Sequence, residues 1–123
     1  MPVSQLKRIV HTTTASFALA DLTSGTALPV VDLPYGAIVV GGGLIITEVF
    51  NSTSTDVLDV GDTASANRYK NDVNGRALGF TALLPTGFEY TTADTVDITW
   101  TSGGGTPTTG KGFLVVEYIV DNK

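Results

Sequence analysis

Between Gly41 and Asp62 the chain reads GGGLIITEVFNSTSTDVLDVGD. Three glycines lead into an apolar run, a polar turn interrupts at residues 51–55, and a second apolar run closes on Gly61-Asp62. Apolar runs of this length bounded by turn residues predict two adjacent β-strands in the middle of an all-β domain. In the first, Leu44, Ile46 and Phe50 fall on one side and Ile45 and Val49 on the other, with Thr47 and Glu48 breaking the run. A strand apolar on both faces either lies between two layers or contributes one face to another subunit.

The same reading extends in both directions. Residues 28–31 are apolar but contain Pro29, which belongs at a strand edge or start. Pro34-Tyr35-Gly36 predicts a tight turn into the strand 37–40. Residues 77–84 predict a strand with its turn at Pro85-Thr86-Gly87, and 88–90 a short extended piece. In 92–101, Val96, Ile98 and Trp100 alternate with Thr95, Asp97 and Thr99, which predicts a strand with one buried and one solvated face. The segment SGGGTPTTG, 102–110, reads as a flexible loop, and 113–120 closes the domain with Leu114, Val116, Tyr118 and Val120 on one face. Residues 63–75 predict a short helix capped by Asp62 or Thr63, although Asn74-Gly75 is equally a hairpin turn. Seven to nine strands are expected, giving an all-β, single-domain antiparallel β-sandwich or jelly roll over 28–123. Residues 1–27 are the least patterned. They are expected to form an extended N-terminal arm with an edge strand near Ala15 to Ala20.

Composition narrows the function. Only 15% of the 123 residues are charged, against a usual ~25%, which suits neutral contact surfaces and an assembled protein. The net charge of −5 argues against direct nucleic-acid binding. Arg68, Lys70 and Arg76 cluster, but Asp72 sits among them and a solvated turn explains them. With no cysteine, thiolate metal sites and disulfides are excluded. The N-terminal MPVSQLKRIVHTTT lacks the apolar core of a signal peptide, and no run approaches the ~20 apolar residues of a membrane span. No membrane partner is therefore expected, and the chain is expected to stay in the cytoplasm or be packaged there.

Candidate chemistry is sparse. The glycines at 41–43 are followed by Leu44-Ile45-Ile46 rather than Lys-Ser/Thr and a helix, so a β-bulge or close backbone crossing explains them better than a phosphate loop. His11 has no nucleophile motif to serve. Asp56, Asp59 and Asp62 invite a calcium reading, but residues three apart on a strand fall on opposite faces. Glu48 and Glu117 form a conceivable acid pair for glycoside hydrolysis. Tyr35, Phe88, Tyr90 and Trp100 are candidate sugar-stacking aromatics, with Trp100 better explained as core. No cofactor or enzymatic activity is expected.

From Leu33 onward, LPYGAIVVGGGLIITEVFNSTSTDVLDVGD, then NRY, then ALGFTALLPTGFEYTTADTVDITWTSGGGTPTTGKGFLVVEYI resembles the jelly-roll head decoration, or capsid cement, proteins of tailed phages. The resemblance rests on the Leu-Pro-x-Gly turn, the strand to Phe50-Asn51-Ser52, the Leu-Asp-Val-Gly-Asp segment and the Ala-Asp-Thr-Val strand before a Gly/Thr-rich loop. It implies a non-enzymatic protein made in the host cytoplasm and placed on the outer surface of the virion. It further implies a homotrimer that bridges neighbouring major capsid protein subunits. On that reading Leu6, Ile9 and Val10 of the arm and Leu44, Ile46 and Phe50 of the central strand are the expected interface residues. The alternative is a carbohydrate-binding or receptor-contacting sandwich module of a phage particle.

Overall fold

The computed structural model describes residues 8–121. Its strands are β1 (His11–Ala18), β2 (Ala27–Leu33), β3 (Ala37–Glu48), β4 (Asp56–Gly61), β5 (Lys70–Asn74), β6 (Gly79–Ala82), β7 (Asp94–Ser102) and β8 (Lys111–Val120). They form two four-stranded sheets, ordered β1-β8-β3-β6 and β2-β7-β4-β5, with every pairing antiparallel. The first strand pairs with the last, the second with the seventh, the third with the sixth and the fourth with the fifth. The chain is thus a long hairpin folded at β4–β5 and rolled up, and every connection except β4 to β5 changes sheet. This is a jelly-roll β-sandwich.

Period-two alternation puts one side of each strand into the space between the sheets. β3 and β8 contribute Val39, Leu44, Ile46, Leu114 and Val116, and β1 contributes Phe17. The opposite sheet answers with Val31, Leu33, Leu58, Val60, Val96, Ile98 and Trp100. The ladder pairs Leu44 with Leu114 on one side and Leu58 with Trp100 and Val60 with Ile98 on the other. The inward positions expected on the strand around Trp100 are borne out.

Several expectations change. The runs on either side of residues 51–55 are not neighbours, because β3 and β4 lie in opposite sheets. The chain crosses there with Phe50 buried against Trp100, ring centroids 5.8 Å apart. No helix forms at 63–75. Asp62 does act as a cap, accepting from the Ala64 and Ser65 amides at 3.1 and 2.9 Å, but the capped unit is a turn. The Tyr69 amide then bonds the Val60 carbonyl at 2.9 Å and sends the chain back as β5. The loop at 102–110 is fastened rather than loose, since the Asn51 amide oxygen accepts from Thr108 and Thr109 and its nitrogen donates to the Thr108 hydroxyl. Within 1–27, the edge strand is longer than expected and begins at His11, pairing along its whole length with β8. Arg8 precedes it and donates to the Val120 carbonyl at 2.6 Å and to Asp121 at 3.3 Å.

The glycine run is a backbone device, as its context suggested. The β3–β8 register shifts between Val39 and Gly41, which marks a bulge. Gly42 beside it has φ +120°, and a Cβ there would meet the Val115 carbonyl. Gly42→Ala combines left-handed strain with a clash against immobile backbone. It is expected to cost about 2 kcal/mol or more. Gly79→Ala, at φ +134° with open space around it, carries the strain alone and should cost less. Urea unfolding midpoints of the two variants check this ordering.

Candidate interaction surface

The two sheets turn different surfaces outward. On β1-β8-β3-β6, the residues opposite to the core side are Phe80 of β6, Ile45 of β3, Phe113 and Val115 of β8, and Ser16 and Thr14 of β1. Phe80, Ile45, Phe113 and Ser16 stand in one cross-strand row. Phe80 is 63% and Phe113 39% exposed. The Phe80 ring occupies the space that a Cβ on Gly43 would need, so the missing side chain seats it flat on the sheet. Val40, at the bulge, is 42% exposed. The charged residues of β8 on this side are Glu117, its Oε1 lying 2.6 Å from where a Gly41 Cβ would stand, and exposed Lys111, opposite Glu48 in the ladder.

The outside of β2-β7-β4-β5 is polar and acidic. Asp32, Asp59 and Asp97 alternate with the buried positions of β2, β4 and β7, with threonines at 95, 99 and 101 between them. Asp97, expected to be solvated, is instead buried at 4% exposure between Pro29 and Gly61, its register partners. Its oxygen accepts from the Thr95 hydroxyl at 2.5 Å. Burial raises its pKa above the ordinary carboxylate value; the Thr95 bond opposes this, and the nearby Asp94 and Asp62 charges add to the rise.

Two further carboxylates are buried at the ends of β4. Asp56 accepts from the Ser52 hydroxyl at 2.6 Å, the Ser52 amide at 3.0 Å, the Trp100 indole at 2.9 Å and Arg76 at 3.2 Å. Asp62 accepts from Arg68 and from the Tyr90 hydroxyl at 2.7 Å, and Tyr90 in turn accepts from Tyr69 at 2.6 Å. Burial alone would raise both carboxyls. For Asp56 the Ser52, Trp100 and Arg76 bonds outweigh it, and for Asp62 those from Arg68, Tyr90 and Ser65 do, so both lie below the ordinary value. Burial raises the Tyr69 and Tyr90 phenols, which remain protonated donors. Arg68 also lies 3.7 Å over the Phe88 ring. The basic cluster seen in the sequence is therefore spent in part on internal pairing.

The expected interface residues separate into three groups. Leu44, Ile46 and Phe50 are 0%, 3% and 1% exposed inside the sandwich, which corrects their assignment to a contact surface. The side of β3 left for a partner is the one that carries Ile45. Ile9 and Val10 are 75% and 51% exposed before β1. Leu6 lies outside the described residues. Sequence reasoning missed Phe80 and Phe113. The signal was the second apolar parity of β8, Phe113 and Val115 with Ile119, which matches Ile45 only once the register of β3 and β8 is known.

The candidate chemistry does not converge. Glu48 and Glu117 sit opposite Lys111 and Gly41 in the β3–β8 ladder. Six residues of strand between their levels put them about 20 Å apart, whereas glycosidase pairs need ~5–10 Å. Asp59 points away from Asp56 and Asp62 and accepts from the Asp72 amide at 2.8 Å. His11 stacks on Tyr118, centroids 5.0 Å apart. Among the four aromatics considered for sugar stacking, Tyr90 and Trp100 are buried, while Tyr35 and Phe88 are exposed.

No protein-family model matches the sequence, and no curated protein does. Solved structures do match. A chain of the cyanophage Pam1 capsid asymmetric unit has a TM-score of 0.72 and 26% identity, covering 98% of this chain and 91% of that one. A chain of the acidic stable capsid structure of Helicobacter pylori bacteriophage KHP30 gives 0.70 and 22%, covering 94% of each. A chain of the capsid of Ralstonia phage GP4 gives 0.71 and 17%, covering 99% and 91%. All three come from phage capsids. The similarity supports a virion structural role for this chain and association with capsid subunits.

The buried carboxylates fix how stability varies with pH. Asp56 and Asp62 bind protons more weakly folded than unfolded. Their contribution is complete above the ordinary carboxylate pKa and is lost as pH falls below about 4. Asp97 binds its proton more tightly when folded, so its charge costs stability at neutral pH, and that cost disappears as pH falls through its raised pKa. Asp97→Asn should therefore raise the melting temperature at pH 7, with an advantage that shrinks towards acid. Melting curves from pH 3 to 7 for both proteins test the sign; a lower melting temperature for D97N at pH 7 would contradict it.

Proposed function

We propose that this protein decorates the outside of a phage head and stabilises it by bridging neighbouring major capsid subunits through the outer surface of β1-β8-β3-β6. The observation that carries the reading is the asymmetry of the sandwich. One broad surface presents Phe80, Ile45, Phe113 and Val115, and the other presents Asp32 and Asp59. An apolar patch of this kind on a small domain marks a contact surface. The likeness to chains in three phage capsids supports the protein shell as its occupant. On this reading the acidic sheet faces solvent, and exposed Ile9 and Val10 extend the contact beyond the sheet.

Each contact is modest, at ~25 cal/mol per Å² of apolar area less the cost of ordering. Repetition over a symmetric shell raises the total without any single strong contact. The role needs a rigid scaffold and a neutral surface, and no converging catalytic groups. A sugar-binding reading loses support because two of its four candidate aromatics are buried and the exposed Phe88 is covered by Arg68.

Heads produced without this protein and mixed with it afterwards provide the test. Wild-type protein should bind saturably, with a fixed ratio to the shell protein. The double variant F80S/F113S removes two exposed side chains and should leave the fold intact, yet lower head occupancy at least tenfold. Equal occupancy by wild type and variant, read by gel densitometry of sedimented heads, would place the contact elsewhere.

A further inference from the structure

The sandwich has four edge strands, and three of them are blunted. β2 carries Pro29 and a register shift between Pro29 and Val31. β5 contains Asp72 at φ +56°, and its ladder with β4 shifts between Leu58 and Val60. β6 has four residues. Prolines, bulges and shortness are the usual devices that prevent an edge from recruiting another strand. β1 has none of them. It is eight residues long, HTTTASFA, with no proline, lysine or acidic residue, and it keeps unbroken register with β8 from His11 to Ala18.

The direction of its backbone groups follows from two bonds. The Leu19 amide reaches across to the Gly110 carbonyl, whereas the Ala18 amide turns away from β8 to the Asp21 carboxylate at 2.9 Å. Antiparallel ladders alternate in this respect, so Thr12, Thr14 and Ser16 direct their N–H and C=O groups outward along an edge that no other strand of the described residues pairs with. All three residues are exposed.

We propose that this edge pairs with β1 of a second copy of the chain across a two-fold axis at Thr14. Antiparallel pairing about that point sets Thr14 opposite its own equivalent and Thr12 opposite Ser16 of the other copy. Each of these three residues then meets another of them, giving about six backbone hydrogen bonds. The side chains brought together are hydroxyls, which pair favourably across strands, and the strand's lack of charge means that no like charges meet. A two-fold contact must be self-complementary, and this spacing of outward groups is. The result is one continuous eight-stranded sheet whose outer surface joins both copies' Phe80–Ile45–Phe113 rows. The inference rests on edge geometry and not on capsid binding, so it is tested in free solution.

The absence of cysteine makes single-cysteine variants clean reporters. In a hydrogen-bonded antiparallel pair the facing Cα atoms are about 5.5 Å apart, within disulfide reach. T14C should therefore give a covalent dimer on mild oxidation. T12C should not, since the register separates the two copies of residue 12 by about 13 Å. Wild-type protein should sediment as a dimer. T14P deletes an outward amide at a position where an edge strand tolerates proline, and T14K places two like charges at the axis. Both should halve the mass while the circular dichroism of the fold is retained. If T14P fails to fold, T14K alone decides. A monomeric wild type would overturn the proposal and leave the edge for a strand of the shell protein. A trimer would also overturn it, as would a dimer whose mass T14K leaves unchanged or cross-linking at residue 12 but not 14.

Discussion

A rolled hairpin changes sheet at nearly every connection, and each crossing draws backbone and polar side chains towards the interior. The structure depends on satisfying those groups where the loops converge, and it does so with two buried carboxylates at opposite ends of β4. Asp56 holds the β3–β4 crossing through Ser52, the β5–β6 segment through Arg76 and β7 through the Trp100 indole. Asp62 holds the β4–β5 turn and, through Tyr90, the segment between β6 and β7. A buried carboxylate with one donor removed is strongly destabilising, whereas one fully surrounded by donors is tolerated. Both of these are well supplied, and each organises loops that are distant in sequence.

With the ends fixed in this way, the two broad surfaces are free to differ. Their side chains face away from the core and carry little of its packing. One has become apolar around Phe80 and Phe113, the other acidic. The low overall charge of the chain is therefore not spread evenly. The centre of the first sheet's outer surface, around Phe80, Ile45 and Phe113, is free of it, with Glu117 and Lys111 towards either end of β8, while Asp32 and Asp59 lie on the other sheet. On the proposed function this division has a use, because a protein bound to a shell needs one adhesive side and one soluble side.

Much of the scaffold was legible in the sequence. The alternation of Val96, Ile98 and Trp100, the turn at Pro34-Tyr35-Gly36 and the bulge at the glycine run all have local causes, and local pattern reports them. What was not legible is relational. Leu44 and Ile45 look alike along one strand, and only the partner strand decides which of them is inside. The cap signal at Asp62 is a true cap, but tertiary bonds from Arg68 and Tyr90 make it close a turn in place of a helix. Asp97 occupies an outward position in its strand, yet Pro29 and Gly61 flank it closely enough to exclude water. The interaction surface was hidden for the same reason: its row of Phe80, Ile45 and Phe113 is assembled from three separate strands.

The pairing of His11 with Tyr118 has a consequence for how the protein is made. β8 lies between β1 and β3, so the first sheet has no centre until the last strand is available. The chain reaches that strand only after the other seven have been made, at roughly 5–20 residues per second. Until then β1 and β3 have no common neighbour, and the apolar inner surface of β2-β7-β4-β5 lacks its cover. Closure of the first sheet therefore waits for β8, and the outer surface that carries Phe80, Ile45 and Phe113 is complete only once β8 has docked between β1 and β3. The order of the strands thus makes the first sheet the last part of the sandwich that can close.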